Sequence, residues 1–175
     1  GFGVTDLQDP AAVGPDTNFA IGSVTKAFTA TALAILVDEG RIGWDQKVVD
    51  IMPEFRMKDA WVTREMTVRD LLVHRSGLGL GAGDLLFVPR SDLTRADVVE
   101  QLGEIPLETS FRSSYAYDNI LYMVAGRLIE RVTGESWESF VTRRILLPAG
   151  MTSATVENDS RGPDDLMADG HARID

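Results

Sequence analysis

The feature that most constrains the fold is an apolar segment, residues 24–39, which reads VTKAFTATALAILVDE. It is rich in Ala and Leu, which favour helix, and it ends before Gly40, a residue favoured directly after a helix. A helix that is apolar almost all round is usually buried. The segment therefore predicts a buried central helix. Within it Lys26 is the one charge before Asp38, and a charge there is costly unless it is paired or used.

Four more segments carry the apolar spacing and the end signals of helices. These helices are predicted at 68–74 after Thr67, at 95–102 after Thr94, at 119–132 before Gly134 and at 137–146 after Ser136. Residues 1–7 alternate loosely and predict a strand. Residues 43–53 predict a loop with one short turn, and the glycine-rich segment 77–83 predicts a loop. Helices thus outnumber strands, of which we expect at most two or three. We expect an α+β class, present here as one piece of something bigger.

The composition excludes several classes of function. The 17 basic and 27 acidic residues give a formal net charge of −10, so nucleic acid and anionic membranes are poor partners. The longest apolar run, residues 32–37, is far short of the roughly 20 residues of a membrane span. Cysteine is absent, and His74 and His171 lie in unrelated contexts. We therefore expect no disulfide, no metal site and no cofactor.

Ser23 and Lys26 stand three residues apart where the central helix begins. Three residues of helix give a rise of about 4.5 Å and a rotation of about 300°, so both side chains share one face. A serine hydroxyl needs a nearby base to act as a nucleophile, and the Ser23 backbone N–H can serve an oxyanion. A neutral lysine can take the proton itself, and a charged one can lower the pKa of another base. The pair alone is more typical of a capping serine with a surface charge, and the apolar surroundings of Lys26 are what favour a functional role.

Tyr117 and Asn119 form a second candidate pair, directly before the helix predicted to follow them. Two residues apart on a turn, their side chains can point into a common cleft. Tyr117 can act as a general base if a cation such as Lys26 lowers its pKa from about 10. Asn119 can bind a substrate amide or Lys26 itself. The alternative is that Asn119 or Asp118 caps the helix while the tyrosines only pack.

Taken together, these motifs make the chain resemble the class C β-lactamase and penicillin-binding-protein-like serine hydrolases. That beta-lactamase-related family also contains D-alanyl-D-alanine peptidases and esterases. Five matching segments occur in the family's order and cover nearly the whole chain. They are GFGVTDL, TNFAIGSVTKAFTATALAILVDEGRIGWDQKVVDIMPEF, MTVRDLLVHRSGLG, SSYAYDNILYMVAGRLIERVTGESWESFV and LLPAGMTSAT. The resemblance implies a β-lactamase/transpeptidase-like fold.

The resemblance also implies a role for each candidate residue. Ser23 matches the acylated nucleophile of the family and Lys26 matches its partner. Tyr117 and Asn119 match the Tyr-x-Asn motif, with Tyr117 as the candidate base and Asn119 as a substrate-binding residue. The middle residue of this motif is Asp118, where family members often have a small residue.

Two further family features bear on the interpretation. His74 and Ser76 lie in LLVHRSGL, which the family carries as a structural turn, so we interpret them as scaffold. A third motif, Lys/His-x-Gly on a strand facing the nucleophile, has no match, since residues 171–173 read HAR. In relatives the same strand supplies the second oxyanion donor. We therefore expect residues 1–175 to be a partial domain that lacks the start of the N-terminal sheet portion and the C-terminal sheet portion.

The favoured interpretation is a serine hydrolase that forms an acyl-enzyme with a β-lactam, ester or D-amino-acid peptide carbonyl. Its partner is then a small molecule or a short peptide. The alternatives are a catalytically silent scaffold or binding protein of the same fold, or an inactive fragment of the enzyme. Loss of one oxyanion donor commonly costs about 10²–10³ in kcat, so we expect little activity from the 175 residues alone. The resemblance implies a periplasmic or secreted location, although no signal peptide is recognised in these residues; the oligomeric state is left open.

Overall fold

The computed structural model describes residues 1–89, 91–156 and 167–171, and these ranges are mainly helical. The α-helices are α1 (Thr25–Asp38), α2 (Val48–Ile51), α3 (Ala60–Glu65), α4 (Arg95–Leu102), α5 (Ile120–Thr133) and α6 (Trp137–Val141). Shorter turns are the 3-10 turns Gly22–Val24, Arg69–Leu72 and Asp84–Leu86, and the π-helical turn Thr142–Leu146. The isolated β-bridges in these ranges join Val4 to Ala12, Asn18 to Met167 and Lys47 to Thr67.

Helix α1 is the predicted central helix, and it packs against α5 and α6. It ends as expected, because Gly40 follows it with a φ of +69° in the left-handed region that glycine tolerates. Its inward face buries Thr29, Ala32, Leu33 and Leu36. On the other face Ala27 and Thr31 are exposed within the described part of the chain. The apolar sequence predicts burial on all sides, and the structure has it on one side only.

Helix α5 is the second core helix, and the segment before it carries two candidate residues. Its buried face consists of Ile120, Leu121, Val124, Ala125, Leu128 and Ile129. Gly134 ends the helix with a φ of +79°, as its position predicts. The Leu121 N–H donates to Asp118 Oδ1 at 3.3 Å, so Asp118 caps the helix start. Asn119 makes no capping hydrogen bond with its side chain, which leaves its amide available for other contacts.

The capping predictions at Thr94 and Ser136 are confirmed. The Asp97 N–H donates to Thr94 Oγ1 at 3.2 Å, and the Thr94 N–H donates to the Asp97 carboxylate at 2.7 Å. This reciprocal pair is a capping box, and it fixes the start of α4, which packs on α5. The Ser139 N–H donates to Ser136 Oγ at 3.1 Å at the start of α6. The helix predicted from 137 to 146 is α-helical only to Val141 and then continues as a π-helical turn.

Two predicted elements differ in the structure. Residues 1–7 contribute one bridge at Val4 rather than a strand, because the described residues pair only Ala12 with it. The helix predicted at 68–74 is a 3-10 turn, Arg69–Leu72, in which the Asp70 N–H reaches Thr67 Oγ1 at 3.4 Å. The short turn predicted within the loop at 43–53 is the one-turn helix α2. Short elements of this kind are decided by tertiary packing more than by local sequence.

Helix α3 has no counterpart in the sequence interpretation. Asp59 starts it, because its Oδ1 accepts from the N–H groups of Trp61 at 2.7 Å and Val62 at 3.1 Å. The polar loop predicted after Pro148 falls partly outside the described residues, at 157–166 and 172–175. Among the described helices, none is both long and apolar enough to cross a membrane.

Candidate active site

Ser23 and Lys26 lie one turn apart at the start of α1, as their spacing predicts. Ser23 occupies the 3-10 turn Gly22–Val24, which runs directly into Thr25. The Lys26 Nζ donates to Ser23 Oγ at 3.1 Å. The Ser23 side chain is exposed, so its hydroxyl is accessible from solvent. The backbone N–H of Ser23 lies in the first turn, where donors lack partners within the helix.

Tyr117 and Asn119 reach the same lysine from the segment that precedes α5. The Lys26 Nζ donates to the Tyr117 hydroxyl and to Asn119 Oδ1, each at 2.6 Å. The Tyr117 hydroxyl also donates to Ser23 Oγ at 2.6 Å, across 94 positions of sequence. The structure therefore brings all four candidate residues together. Packing of α1 against α5 explains the convergence. One pair lies at the start of α1, and the other lies at the start of α5.

The charge of Lys26 acts directly on the phenol of Tyr117. The hydrogen bond from Lys26, followed by the bond with Ser23, lowers the pKa of Tyr117 below its ordinary value. The ammonium also lies 4.6 Å from the centre of the Tyr117 ring and 5.2 Å from that of Tyr122. Burial raises the pKa of Tyr122, whose hydroxyl donates to the Leu72 carbonyl at 3.0 Å. The pKa values of these two neighbouring tyrosines are thus shifted in opposite directions.

His74 and Asp118 lie behind Tyr117. The His74 ring centre is 4.6 Å from that of Tyr117 and 5.5 Å from that of Tyr122, and the ring planes are tilted by 31° and 32°. The Asp118 N–H donates to His74 Nδ1 at 3.3 Å. Asp118 is fully buried, and this burial raises the pKa of its carboxyl. The His74 ring thus packs against one face of the Tyr117 ring. The scaffold role expected for His74 stays a prediction.

The sequence interpretation missed Asp84, which lies directly beside the four candidates. Asn119 Nδ2 donates toward both Asp84 carboxylate oxygens, at 3.1 and 3.0 Å. The Gly81 N–H donates to the Tyr117 carbonyl at 2.9 Å, so the glycine-rich loop is attached to the same segment. The only signal in the sequence was an acidic residue after a run of glycines. Its partner is 35 residues away, which no local pattern connects.

A mostly apolar cavity lies next to the four polar residues rather than among them. It has a volume of about 570 Å³. Its lining includes Phe19, Gly22 and Phe28, from the approach to Ser23 and from α1. None of the four candidates lines it. The exposed hydroxyl of Ser23, the candidate nucleophile, therefore lies outside this cavity.

His171 lies apart from the candidate site. Its Nε2 accepts from the Leu7 N–H at 3.3 Å and lies 3.5 Å from Asp6 Oδ1. This contact ties the described part of the tail to the first residues of the chain. It agrees with the interpretation that His171 does not belong to a Lys/His-x-Gly motif beside the nucleophile.

Known proteins resemble the chain along nearly its whole length. The family model described as Beta-lactamase matches residues 1–172. Penicillin-binding protein 4 of Amycolatopsis lactamdurans is 35% identical over 85% of this chain and 39% of that protein. An unguisins hydrolase of Aspergillus violaceofuscus is 32% identical over 98% of this chain and 32% of that protein.

Solved structures share the fold. The D-amino acid amidase of Ochrobactrum anthropi SV3, complexed with L-phenylalanine amide, matches 95% of this chain with a TM-score of 0.79 and 28% identity. A penicillin-binding protein homologue of Caulobacter crescentus matches 84% with a TM-score of 0.69 and 30% identity. The chain spans less than half of each relative, 46% of the amidase and 38% of the homologue. Because the family model and these relatives cover nearly all of the sequence, the chain belongs to the beta-lactamase family.

Proposed function

We propose that the polypeptide containing this chain is a serine hydrolase that works through an acyl-enzyme. The observation that carries the proposal is a closed triangle of hydrogen bonds among Ser23 Oγ, Lys26 Nζ and the Tyr117 hydroxyl. Its sides measure 3.1, 2.6 and 2.6 Å. A nucleophile, a cation and a group with a lowered pKa in mutual contact form the arrangement that activates a hydroxyl.

In the proposed reaction the phenolate of Tyr117 takes the proton of Ser23 while Lys26 remains an ammonium ion. Ser23 Oγ then forms a bond to the substrate carbonyl carbon, and the carbonyl electron pair moves onto its oxygen. The Ser23 backbone N–H is one donor for that oxyanion. Collapse of the intermediate expels the leaving group, which takes the proton from Tyr117. Water then attacks the acyl carbon while Tyr117 takes its proton. The second tetrahedral intermediate collapses, the bond to Ser23 Oγ breaks, and Ser23 recovers the proton from Tyr117 as the acid is released.

A second route remains open for the first proton transfer. A neutral Lys26 can accept the Ser23 proton directly, since the two atoms are 3.1 Å apart. The lowered pKa of Tyr117, caused first by the hydrogen bond from Lys26, favours the tyrosine route. The two routes predict different losses when each residue is replaced.

The substrate class follows from the relatives only as a proposal. Their names include a penicillin-binding protein, a D-amino acid amidase and an unguisins hydrolase. All three names fit a β-lactam or an amide carbonyl, and the ester expected from the family resemblance stays a prediction. The extracytoplasmic location rests on the penicillin-binding relatives and is likewise part of this proposal.

The proposed function is tested by intact-mass spectrometry of the full-length polypeptide after incubation with a penicillin, an activated ester and a D-amino acid amide. We expect an adduct that maps to Ser23 and is absent from Ser23→Ala, and an acylation rate that falls strongly in Lys26→Ala. Hydrolysis is followed in parallel, so that fast deacylation is also detected. Labelling that persists in Ser23→Ala would overturn the proposal by showing that another residue is acylated. Neither adduct nor hydrolysis with any substrate would overturn it in favour of a silent scaffold.

A further inference from the structure

The orientation of the Asn119 side-chain amide is fixed by its two neighbours. Asn119 Oδ1 lies 2.6 Å from the Lys26 Nζ, and Nδ2 lies 3.0 and 3.1 Å from the Asp84 oxygens. An ammonium group only donates hydrogen bonds, and an ionised carboxylate only accepts them. A flipped amide places its NH₂ against the ammonium and its oxygen against the carboxylate, and both contacts are then repulsive. Asp84 and Lys26 together therefore permit one orientation.

The three N–H donors of the Lys26 ammonium match the three acceptors around it. These acceptors are Ser23 Oγ, the Tyr117 hydroxyl and Asn119 Oδ1. Within the described part of the chain, Asn119 is the acceptor whose side chain also bonds to a carboxylate, since its Nδ2 donates to Asp84. The result is an ordered path from carboxylate to amide to ammonium to the serine hydroxyl.

The loop that carries Asp84 is built to hold this carboxylate in place. Asp84 begins the 3-10 turn Asp84–Leu86, and its own N–H donates to the Gly81 carbonyl at 3.1 Å. Gly83 precedes it with a φ of +81° and lies so close to α5 that an added Cβ would stand 2.5 Å from Ile120 Cδ1. Only glycine permits this close approach, and Asp84 is thereby positioned beside the start of α5.

On these grounds we propose that Asp84 is a positioning residue of the acylation machinery. Its carboxylate holds the Asn119 amide with the oxygen toward Lys26, and so keeps Lys26 in place as the ammonium partner of Ser23 and Tyr117. The inference rests on the proposed function, because it assigns Asp84 a part in the same reaction. Asp84 acts through Asn119 and does not itself touch the reacting atoms.

The charge of Asp84 also reaches Tyr117. Lys26 lowers the pKa of Tyr117, whereas the negative charge of Asp84 opposes that shift. The other titratable groups packed around this phenol are His74 behind the ring, Asp118 next in the chain and Tyr122 on α5. Removal of the Asp84 charge therefore lowers the pKa of Tyr117 further, which a purely structural residue would not do.

Two substitutions in the full-length polypeptide separate the effect of orientation from that of charge. Asp84→Asn keeps an oxygen that can accept from Asn119 Nδ2 but removes the charge. Asp84→Leu is similar in size and removes both. The matched control is Asp50→Asn, which removes one charge from an exposed position on α2. Circular dichroism shows whether each variant is folded.

Two nuclear magnetic resonance measurements test the inference without any turnover. The side-chain ¹⁵N–¹H signals of Asn119 report its hydrogen bond to Asp84, and the ¹³Cζ signal of labelled Tyr117 reports its titration. We expect Asp84→Leu to shift the Asn119 signals. Asp84→Asn removes the charge but keeps an oxygen that Asn119 can bind, so we expect it to move the Tyr117 titration to lower pH. Asp50→Asn should change neither.

Acylation kinetics against pH complete the test. We expect the rate plateau to fall about ten- to a hundredfold in Asp84→Leu, as for a lost hydrogen bond to a charged group, and to stay within about threefold in Asp84→Asn. The inference is overturned if Asp84→Leu leaves the Asn119 signals unchanged. Should that variant not fold, unchanged Asn119 signals in Asp84→Asn have the same meaning, because a neutral oxygen there replaces the carboxylate that Asn119 binds. If the wild type is not acylated, the proposed function fails, but the resonance measurements still decide the role of Asp84.

Discussion

Replacement of Tyr117 by Phe is the sharpest test of the tyrosine route. The substitution removes one oxygen atom, which contacts the Lys26 Nζ and Ser23 Oγ, each at 2.6 Å. The ring remains, and so does its contact with His74, with ring centres 4.6 Å apart. A positioned general base contributes about 10²–10⁴ in rate, which is about 3–5 kcal/mol of the activation barrier. We expect Tyr117→Phe to lose acylation rate by that factor while its fold is unchanged.

The assay is the rate of acyl-adduct formation on Ser23 across a range of pH, with Tyr122→Phe as the matched control. Tyr122 lies beside the same ammonium, at 5.2 Å, but its hydroxyl bonds to a backbone carbonyl. On the tyrosine route the active base is the phenolate, so the wild-type rate should rise with pH through the lowered pKa of Tyr117. Tyr117→Phe should lack that rise, and Tyr122→Phe should retain it. Acylation by Tyr117→Phe within about threefold of the wild type would refute the tyrosine route and favour Lys26 as the base.

Three further predictions concern stability, each measured by urea unfolding. Burial raises the pKa of the Asp118 carboxyl in the folded state. Its contribution to stability is therefore present below the pKa of the unfolded state and is lost as pH rises through the pKa of the folded state. Asp118→Asn should be more stable than the wild type at pH 8 but not at pH 4. Burial opposes but does not outweigh the bonds from Arg112 and Thr67 that lower the pKa of Asp70. The stabilisation from these bonds is lost as pH falls through the folded-state pKa of Asp70. Asp70→Asn should therefore lower the free energy of unfolding by about 1–3 kcal/mol at pH 7 and by less at pH 3. An equal loss at both pH values would contradict the ion pair with Arg112. Gly134→Ala should cost about 1 kcal/mol from its φ of +79° alone, since an added Cβ meets nothing within 4 Å, and no loss would contradict the backbone argument.

The long helices were predictable because each carries its own start and stop signals. Gly40 and Gly134 end α1 and α5 in the left-handed conformation, and Thr94 begins α4 with a capping hydrogen bond. Such signals act within one helical turn, so they can be read from a short window of sequence. Elements that depend on distant partners were not predictable in this way. The strand expected in residues 1–7 is the example, since it is reduced to the pairing of Val4 with Ala12.

The candidate site likewise contains one contact that local sequence predicts and others that join residues far apart in the sequence. The contact between Ser23 and Lys26 follows from helix geometry alone, at a spacing of three residues. The contact of Lys26 with Tyr117 spans 91 positions and was expected only from the ordered resemblance to a known family. Asp84 was missed because neither helix geometry nor the quoted family motifs include it. Its role becomes visible only when the hydrogen-bond partner of each amide atom of Asn119 is known.

The way the site is anchored explains how an exposed serine can hold a defined geometry. Ser23 and Lys26 belong to the start of α1, whose residues Leu33 and Leu36 are fully buried. Tyr117 and Asn119 precede α5, which Asp118 caps from a fully buried position. A change in the packing of α1 against α5 must therefore alter the distances from Lys26 to its partners across the site. Because those bonds are only 2.6 Å long to both Tyr117 and Asn119, a shift of about 1 Å would break them, and precise orientation accounts for a large part of catalytic rate.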